Sequence, residues 1–211
     1  MKFDTIIHNC TIITVNPEFD IIKHGIICIK DGRLEQISAK AHDQDPPDSK
    51  KVIDAKGGIV LPGLVNTHTH LPMTLFRGLA DDLPLNTWLN EHIFPAEKKH
   101  INPESVRYGT LLACAEMLLS GTTTCCDGYF LEETVAEAVN DSGMRAVLGQ
   151  GVIDFPAPGV ADPSENIKTA VEFAKKWLGV FPNIIPSIFC HSPYTCCTQT
   201  LKDAKAAASA K

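Results

Sequence analysis

Two histidines one residue apart, His68 and His70, end a stretch that opens on an apolar run: Ile59-Val60-Leu61-Pro62-Gly63-Leu64-Val65-Asn66-Thr67-His68-Thr69-His70. Side chains of a strand alternate faces, so residues two apart point the same way, about 7 Å apart along the strand. Two imidazoles tilted toward a common point can share one metal ion, and neutral nitrogen ligands at about 2.0–2.1 Å suit zinc. So short and apolar a run suits a strand buried on both faces, as in parallel sheets. In (β/α) barrels the carboxyl end of such a strand carries the active site. A bare His-x-His could equally be a hydrogen-bonded structural pair. The apolar strand, the Pro62-Gly63 step and the loop that follows favour the metal.

Other residues could join that chemistry. Glu97, beside Lys98-Lys99, reads on its own as a solvated carboxylate in a loop. His191 stands at the carboxyl end of an apolar strand, where a lone histidine is often a satisfied core residue. Asp127 also ends a strand; it could be an extra acid, but a structural hydrogen bond is the better reading. Trp88 and Met73 could wall an apolar pocket or simply pack.

The elements that must position these groups fall into two patterns. Residues 1–58 read as a small β module. Its strands cover Asp4–Val15, Gly25–Lys30, Arg33–Ile37 and Val52–Ala55, with a hairpin turn at Asp31-Gly32 and a polar loop from Ala41 to Lys51. From residue 59 to 211 strands alternate with helices, the signature of parallel α/β structure. A segment from Leu71 to Ile101, with a short helix over Leu85–Phe94, would cap the first strand. Asn102-Pro103 starts a helix whose core side is read as Val106, Leu111, Leu112, Ala115, Leu118 and Leu119, ending at Gly121. Further strands follow at Thr122–Asp127, Arg145–Ile153 and Asn183–His191. Their helices span Leu131–Ser142, Ser164–Gly179 and Thr198 onward. Four βα units result, where a closed barrel needs eight and about 250 residues. The helical tail Ala204–Lys211 carries no stop signal, so the chain reads as the amino-terminal part of a longer polypeptide. The open sheet edges would otherwise have to pair with another chain or with a second copy in a homo-oligomer.

The 211 residues are 44% hydrophobic and 21% charged, with net charge −6. That is ordinary globular material, and its acidic balance argues against nucleic acid or an anionic membrane as partner. Neither a signal-peptide core nor a run of membrane-spanning length is present, and the expected location is cytoplasmic. Eight cysteines without C-x-x-C spacing read as free, mostly buried thiols.

Pro62-Gly63-Leu64-Val65-Asn66-Thr67-His68-Thr69-His70 resembles the first-strand metal motif of the amidohydrolase superfamily. The continuation Leu71–Leu85 (LPMTLFRGLADDLPL), with Trp88-Leu89 and Phe94-Pro95-Ala96-Glu97, is similar to the 5-methylthioadenosine/S-adenosylhomocysteine deaminases and their chlorohydrolase-like relatives. The resemblance runs along essentially the whole chain. It implies an amidohydrolase-type (β/α)8 TIM barrel, flanked by a β-sandwich to which residues 1–58 contribute. It implies one divalent metal ion, best suited by Zn2+, on His68 and His70. A histidine from the fifth strand, an aspartate from the eighth and the proton-transfer groups would lie beyond Lys211. Glu97 would accept hydrogen bonds from ribose hydroxyls, and His191, in His191-Ser192-Pro193-Tyr194, would touch substrate. The implied reaction is hydrolytic deamination of an adenine-type nucleoside (5-methylthioadenosine, S-adenosylhomocysteine or adenosine) with release of ammonia. The zinc signature of cytidine-type deaminases is absent, so that fold is excluded. Some relatives place arginines on the third strand and in its loop to meet an amino-acid carboxylate. Here Gln150 and the arginine-free loop Asp154–Asn166 stand there, which shifts the expectation from S-adenosylhomocysteine toward methylthioadenosine or adenosine. Alternatives are a chlorotriazine hydrolase, a guanine, cytosine or pterin deaminase, or a non-catalytic half-barrel scaffold. With two ligands of about four, the 211-residue chain alone should bind zinc weakly and be inactive.

In the full-length polypeptide, His68→Ala or His70→Ala should abolish metal retention and turnover. Metal analysis after chelator-free dialysis checks this, and full occupancy in His70→Ala would overturn the reading of the motif.

Overall fold

The computed structural model describes residues 2–39 and 47–209. The expected loop over 41–51 lies outside them as far as residue 46, as do residues 210 and 211 of the tail. The described chain separates into two compact units, Met1–Gly63 and Leu64–Lys211.

The first unit is one mixed sheet of β1 (Phe3–Ile13), β2 (Ile21–Lys30), β3 (Arg33–Ala39), β4 (Ser49–Asp54) and β5 (Ile59–Val60). The order is β3-β2-β1-β4, and β5 also pairs with β1. Asp31 and Gly32 both take positive φ (50° and 71°), as a two-residue hairpin turn between right-twisted strands requires. Apolar clusters form around Ile6, Ile26 and Cys28 and around Cys10, Ile12 and Ile27. Within the described residues this unit is a single sheet. The apolar run from Ile59 is not one strand either. Ile59 and Val60 pair with Thr11 and Ile12, and the run breaks at Pro62, which has no N–H to donate to a ladder. The division after Gly63 therefore falls later than residue 58.

The second unit alternates strands and helices as the pattern implied. Its elements are β6 (Leu64–Thr69), a 3-10 segment (Leu71–Phe76), α1 (Leu85–Thr87), a π-helical stretch (Trp88–Ile93), α2 (Phe94–His100), α3 (Pro103–Leu119), β7 (Thr122–Tyr129), α4 (Glu132–Ser142), β8 (Arg145–Val152), α5 (Asn166–Trp177), β9 (Ile184–Cys190) and α6 (Thr198–Ser209). The strands form an all-parallel sheet in the order β6-β7-β8-β9. Helices and sheet enclose a core that includes Val106, Cys125, Val135, Val139, Leu148, Phe173, Trp177 and Ile184. β6 is an edge strand, and Leu64 and Val65 are exposed, contrary to the expected burial on both faces. Phe189 of β9 lies across two glycines; a Cβ on Gly128 or Gly149 would come within 2.3 Å or 2.6 Å of it. All eight cysteines are free, and most are buried. Among the described residues, no helix is long and apolar enough to cross a membrane.

The start of α3 is as read: Asn102 and Ser105 form a reciprocal capping box ahead of Pro103. Of its expected core side, Val106 is buried, but the rest of the buried face differs. Val106, Gly109, Thr110, Ala113 and Cys114 face the core, while Leu112, Leu118 and Leu119 are exposed. Close packing selects the small side chains: a Cβ on Gly109 would stand 2.7 Å from the Pro72 carbonyl oxygen and 3.0 Å from its Cα. Gly109→Ala should therefore destabilise the protein by about 1–2 kcal/mol, since overpacking (about 1–3 kcal/mol) outweighs the helix-propensity gain of up to about 1 kcal/mol. Thermal or denaturant unfolding of the variant measures the difference.

Candidate active site

The carboxyl ends of the four parallel strands and the helical run 85–100 surround a cavity of about 290 Å³. β6 brings His68 and His70 to it. β7 brings Gly128 and Tyr129, with Phe130 just beyond. Gly151, Ile153, Phe189 and His191 come from the ends of β8 and β9, and Met73, Trp88, Phe94 and Glu97 come from the capping segment. Most of the lining is apolar, with a few convergent polar groups, as in small-molecule sites.

The rings of His68 and His70 are 5.0 Å apart, edge to face. The ladder between β6 and β7 shifts register between Asn66 and Thr69. Asn66 pairs with Cys125 and Thr69 with Asp127, so three steps on β6 match two on β7, and His68 sits in this bulge. Bulges beside functional sites re-aim side chains. The Asn66 Oδ1 accepts from the His68 backbone N–H at 3.2 Å. The His70 Nδ1 donates to the Gly128 carbonyl at 2.6 Å. A carbonyl can only accept, so Nδ1 carries the proton and Nε2 keeps its lone pair. Burial, together with the neighbouring His68, holds the His70 pKa below the usual imidazole value despite that bond. A neutral imidazole with one ring nitrogen anchored and the other free is the form that ligates a metal. The pair thus fits half of a four-coordinate zinc site.

His191 follows β9 with its ring 6.4 Å from that of His70. Its Nδ1 and the Thr195 hydroxyl are hydrogen bonded at 2.8 Å. Burial and the two neighbouring imidazoles lower its pKa as well.

Glu97 is not a solvated loop residue. It lies in α2 and is 5% exposed, because the helical run reaches Phe94–His100 where only Leu85–Phe94 was expected. The Tyr129 hydroxyl donates to its Oε1 at 2.6 Å. Burial raises the Glu97 carboxyl pKa, and the tyrosine bond partly offsets the rise. Glu97 also borders an adjoining cavity of about 720 Å³, lined by Phe94, Lys98, Phe130, Phe155, Pro156, Ala157 and Pro158.

Trp88 and Met73 line the smaller cavity, with the Trp88 indole donating to the Leu79 carbonyl at 3.3 Å. Gln150 does not. Strand alternation sends its side chain to the opposite face, where it accepts from the Glu132 N–H at 3.2 Å, while the next residue, Gly151, reaches the cavity. Tyr129 was missed because the second strand was ended at Asp127; the signal was the aromatic pair Tyr129-Phe130 continuing it. Asp127 is buried, and its Oδ1 accepts from the Thr69 hydroxyl and the Leu71 N–H, both at 2.7 Å. Burial pushes its pKa up to about 7.

Residues 59–211 match the amidohydrolase family. The protein named 5-methylthioadenosine/S-adenosylhomocysteine deaminase 1 of Syntrophus aciditrophicus is 39% identical over 201 residues, which are 95% of this chain and 45% of that protein. A 5'-deoxyadenosine deaminase of Methanosarcina mazei is 43% identical over 207 residues, covering 97% and 46%. The crystal structure of an adenosine deaminase from Xanthomonas campestris with bound zinc superposes with a TM-score of 0.91 at 32% identity, covering 97% of this chain and 46% of that one. The chain spans about half the length of these relatives.

The raised Glu97 pKa makes a stability prediction. The folded chain holds the Glu97 proton more tightly than the unfolded chain, so between the unfolded value and the raised one stability falls as pH rises. Glu97→Gln should therefore raise the unfolding temperature at pH 7 and leave it nearly unchanged at pH 3, well below the unfolded value, where the carboxyl is protonated in both states. Paired thermal melts at the two pH values measure this, and equal shifts at both would contradict it.

Proposed function

The chain belongs to the amidohydrolase family, and on that premise we propose that it forms the amino-terminal part of a zinc-dependent hydrolytic deaminase. The substrates are adenine nucleosides with an uncharged 5′ substituent. In the reaction water adds at C6 of the purine, the C6–N bond breaks, and ammonia leaves with the hypoxanthine nucleoside as product. The observation that carries this reading is Glu97. It is a buried carboxylate on the same cavity as His68, His70 and His191, with Tyr129 bound to one oxygen only. A vicinal diol offers two donors to such a group, and a charged acceptor in a dry site binds them well.

His68 and His70 would hold the ion, which when bound supplies Lewis acidity that makes water a usable nucleophile near neutral pH. The chain's own residues bind and orient. Gly128 fixes the His70 ring, Tyr129 fixes Glu97, and Glu97 takes the ribose diol. His191 has one nitrogen engaged by Thr195, which leaves the other for the substrate. Trp88, Met73 and Phe94 exclude water around the base. The names of the relatives support an adenosine-type substrate. The loop after β8 contributes phenylalanine, prolines and alanines to the adjoining cavity and no arginine, so nothing in it pairs with an amino-acid carboxylate at the 5′ end. This favours methylthioadenosine, 5'-deoxyadenosine or adenosine over S-adenosylhomocysteine.

Zinc-replete full-length protein should release ammonia from methylthioadenosine, with absorbance moving from adenine to hypoxanthine. Glu97→Ala should lower kcat/KM by roughly ten- to 150-fold, the loss of one charged hydrogen bond worth about 1.5–3 kcal/mol. An active enzyme indifferent to Glu97→Ala would belong instead with hydrolases of ribose-free rings such as triazines or guanine.

A further inference from the structure

The end of β6 is fastened to β7 by side chains and not by a regular ladder. After the bulge at His68, three donors (the Thr69 hydroxyl, whose one proton is shared between two acceptors, the His70 ring and the Leu71 N–H) tie residues 69–71 to residues 126–128. The Thr69 hydroxyl reaches the Cys126 carbonyl at 2.9 Å and the Asp127 Oδ1 at 2.7 Å. The Leu71 backbone N–H donates to that same Oδ1 at 2.7 Å, and the His70 ring donates to the Gly128 carbonyl at 2.6 Å. A single carboxylate oxygen therefore grips the residue before His70 and the residue after it. Asp127 is buried, lies opposite Thr69 in register, and is not among the residues lining the cavity. It cannot touch a substrate there. What it can do is fix the backbone on both sides of His70.

We propose that Asp127 is a positioning residue for the metal-binding histidine His70, its Oδ1 holding Thr69 and Leu71 so that the His70 ring stays aimed into the cavity. The proposal rests on the metal reading of His68 and His70 and adds a residue to it. The two histidines differ in preparation. His70 is fixed through its ring and through both flanking residues. His68 is exposed, and its backbone is held by the Asn66 side chain at 3.2 Å. Loosening Asp127 acts on the prepared ligand, and the groups that orient metal ligands are typically worth ten- to 100-fold in metal affinity.

The test uses full-length protein and zinc alone, with the dissociation constant measured by competition against a chromogenic chelator. Asp127→Ala should weaken zinc ten- to 100-fold. Asp127→Asn keeps an oxygen acceptor at the Oδ1 position and should bring affinity back to within a few-fold of the parent. Thr69→Val removes one of the two donors while keeping the shape, and should fall between. Melting of the metal-free proteins is followed in parallel, because a merely structural role would lower that melting point without selective loss of zinc. Should Asp127→Ala not fold, Thr69→Val carries the test. Zinc affinity within twofold of the parent in Asp127→Ala, or in Thr69→Val where Asp127→Ala does not fold, overturns the proposal, as does an Asp127→Asn protein as weak as Asp127→Ala. A parent protein that itself fails to hold zinc refutes the metal reading instead, so the two failures are distinguishable.

Discussion

The junction between the ends of β6 and β7 is the constraint on which the site depends. Parallel strands deliver their carboxyl ends to one side of the sheet, which brings residues from four strands around one cavity. Delivery alone does not aim them. β6 is an edge strand with an irregular ladder near its end, so its last residues lack the full set of backbone bonds that would hold them. The Asp127 side chain and two carbonyls of β7 supply the missing bonds, and an imidazole ring takes part as a donor. Chemistry and architecture thus share the same few hydrogen bonds.

Charge in the cavity is kept low by burial. Desolvation favours the neutral form of every titratable group, so imidazole pKa values fall and carboxyl values rise. His70 and His191 move down, and Glu97 moves up. For the histidines the direction suits the proposed function, in which the neutral ring would be the ligand and the contact group. Glu97 runs against it: the ionised form, the better acceptor, is the one that burial penalises. Tyr129 offsets part of that penalty by donating to Oε1.

The order of elements in the second unit was legible because strand and helix periods differ and because caps and stops mark the ends. Asn102-Pro103 and Gly143 behave as such signals predict. His68, His70 and His191 were legible because each closes a strand of parallel α/β pattern. Glu97 was legible only through the family resemblance. Its neighbours Lys98 and Lys99 are exposed, and nothing local reveals that the π-helical stretch and α2 turn the glutamate inward. The Tyr129–Glu97 bond joins residues 32 apart in sequence, a distance over which periodicity carries no information. Gln150 was placed by analogy with the arginines of relatives, and along β8 it is the next residue, Gly151, that faces the cavity, because neighbouring side chains of a strand point to opposite faces. The face of α3 was misread because large leucines were weighted above Gly109 and Ala113, whereas helix-to-backbone approach is limited by volume.

Two kinds of discrimination follow from the proposed reading, and they differ in strength. A buried acceptor built for a diol rejects compounds that lack it, because the carboxylate is then left desolvated and unpaired. Sites of that kind discriminate by about 10⁴–10⁵ at best. An apolar wall separates homologous groups far less well, by roughly 10–200-fold per methylene. Here both occur at one residue: Glu97 borders the cavity of the histidines and also the larger apolar cavity beside it. The ribose end of a nucleoside would be read strictly and the 5′ substituent loosely. The loose side still has a boundary. Phe94, Phe130 and Phe155 offer no counter-charge, and Lys98, the one cation lining that cavity among the described residues, is exposed. Size would then matter less than charge, and an anionic 5′ group would be excluded by desolvation before it is excluded by shape.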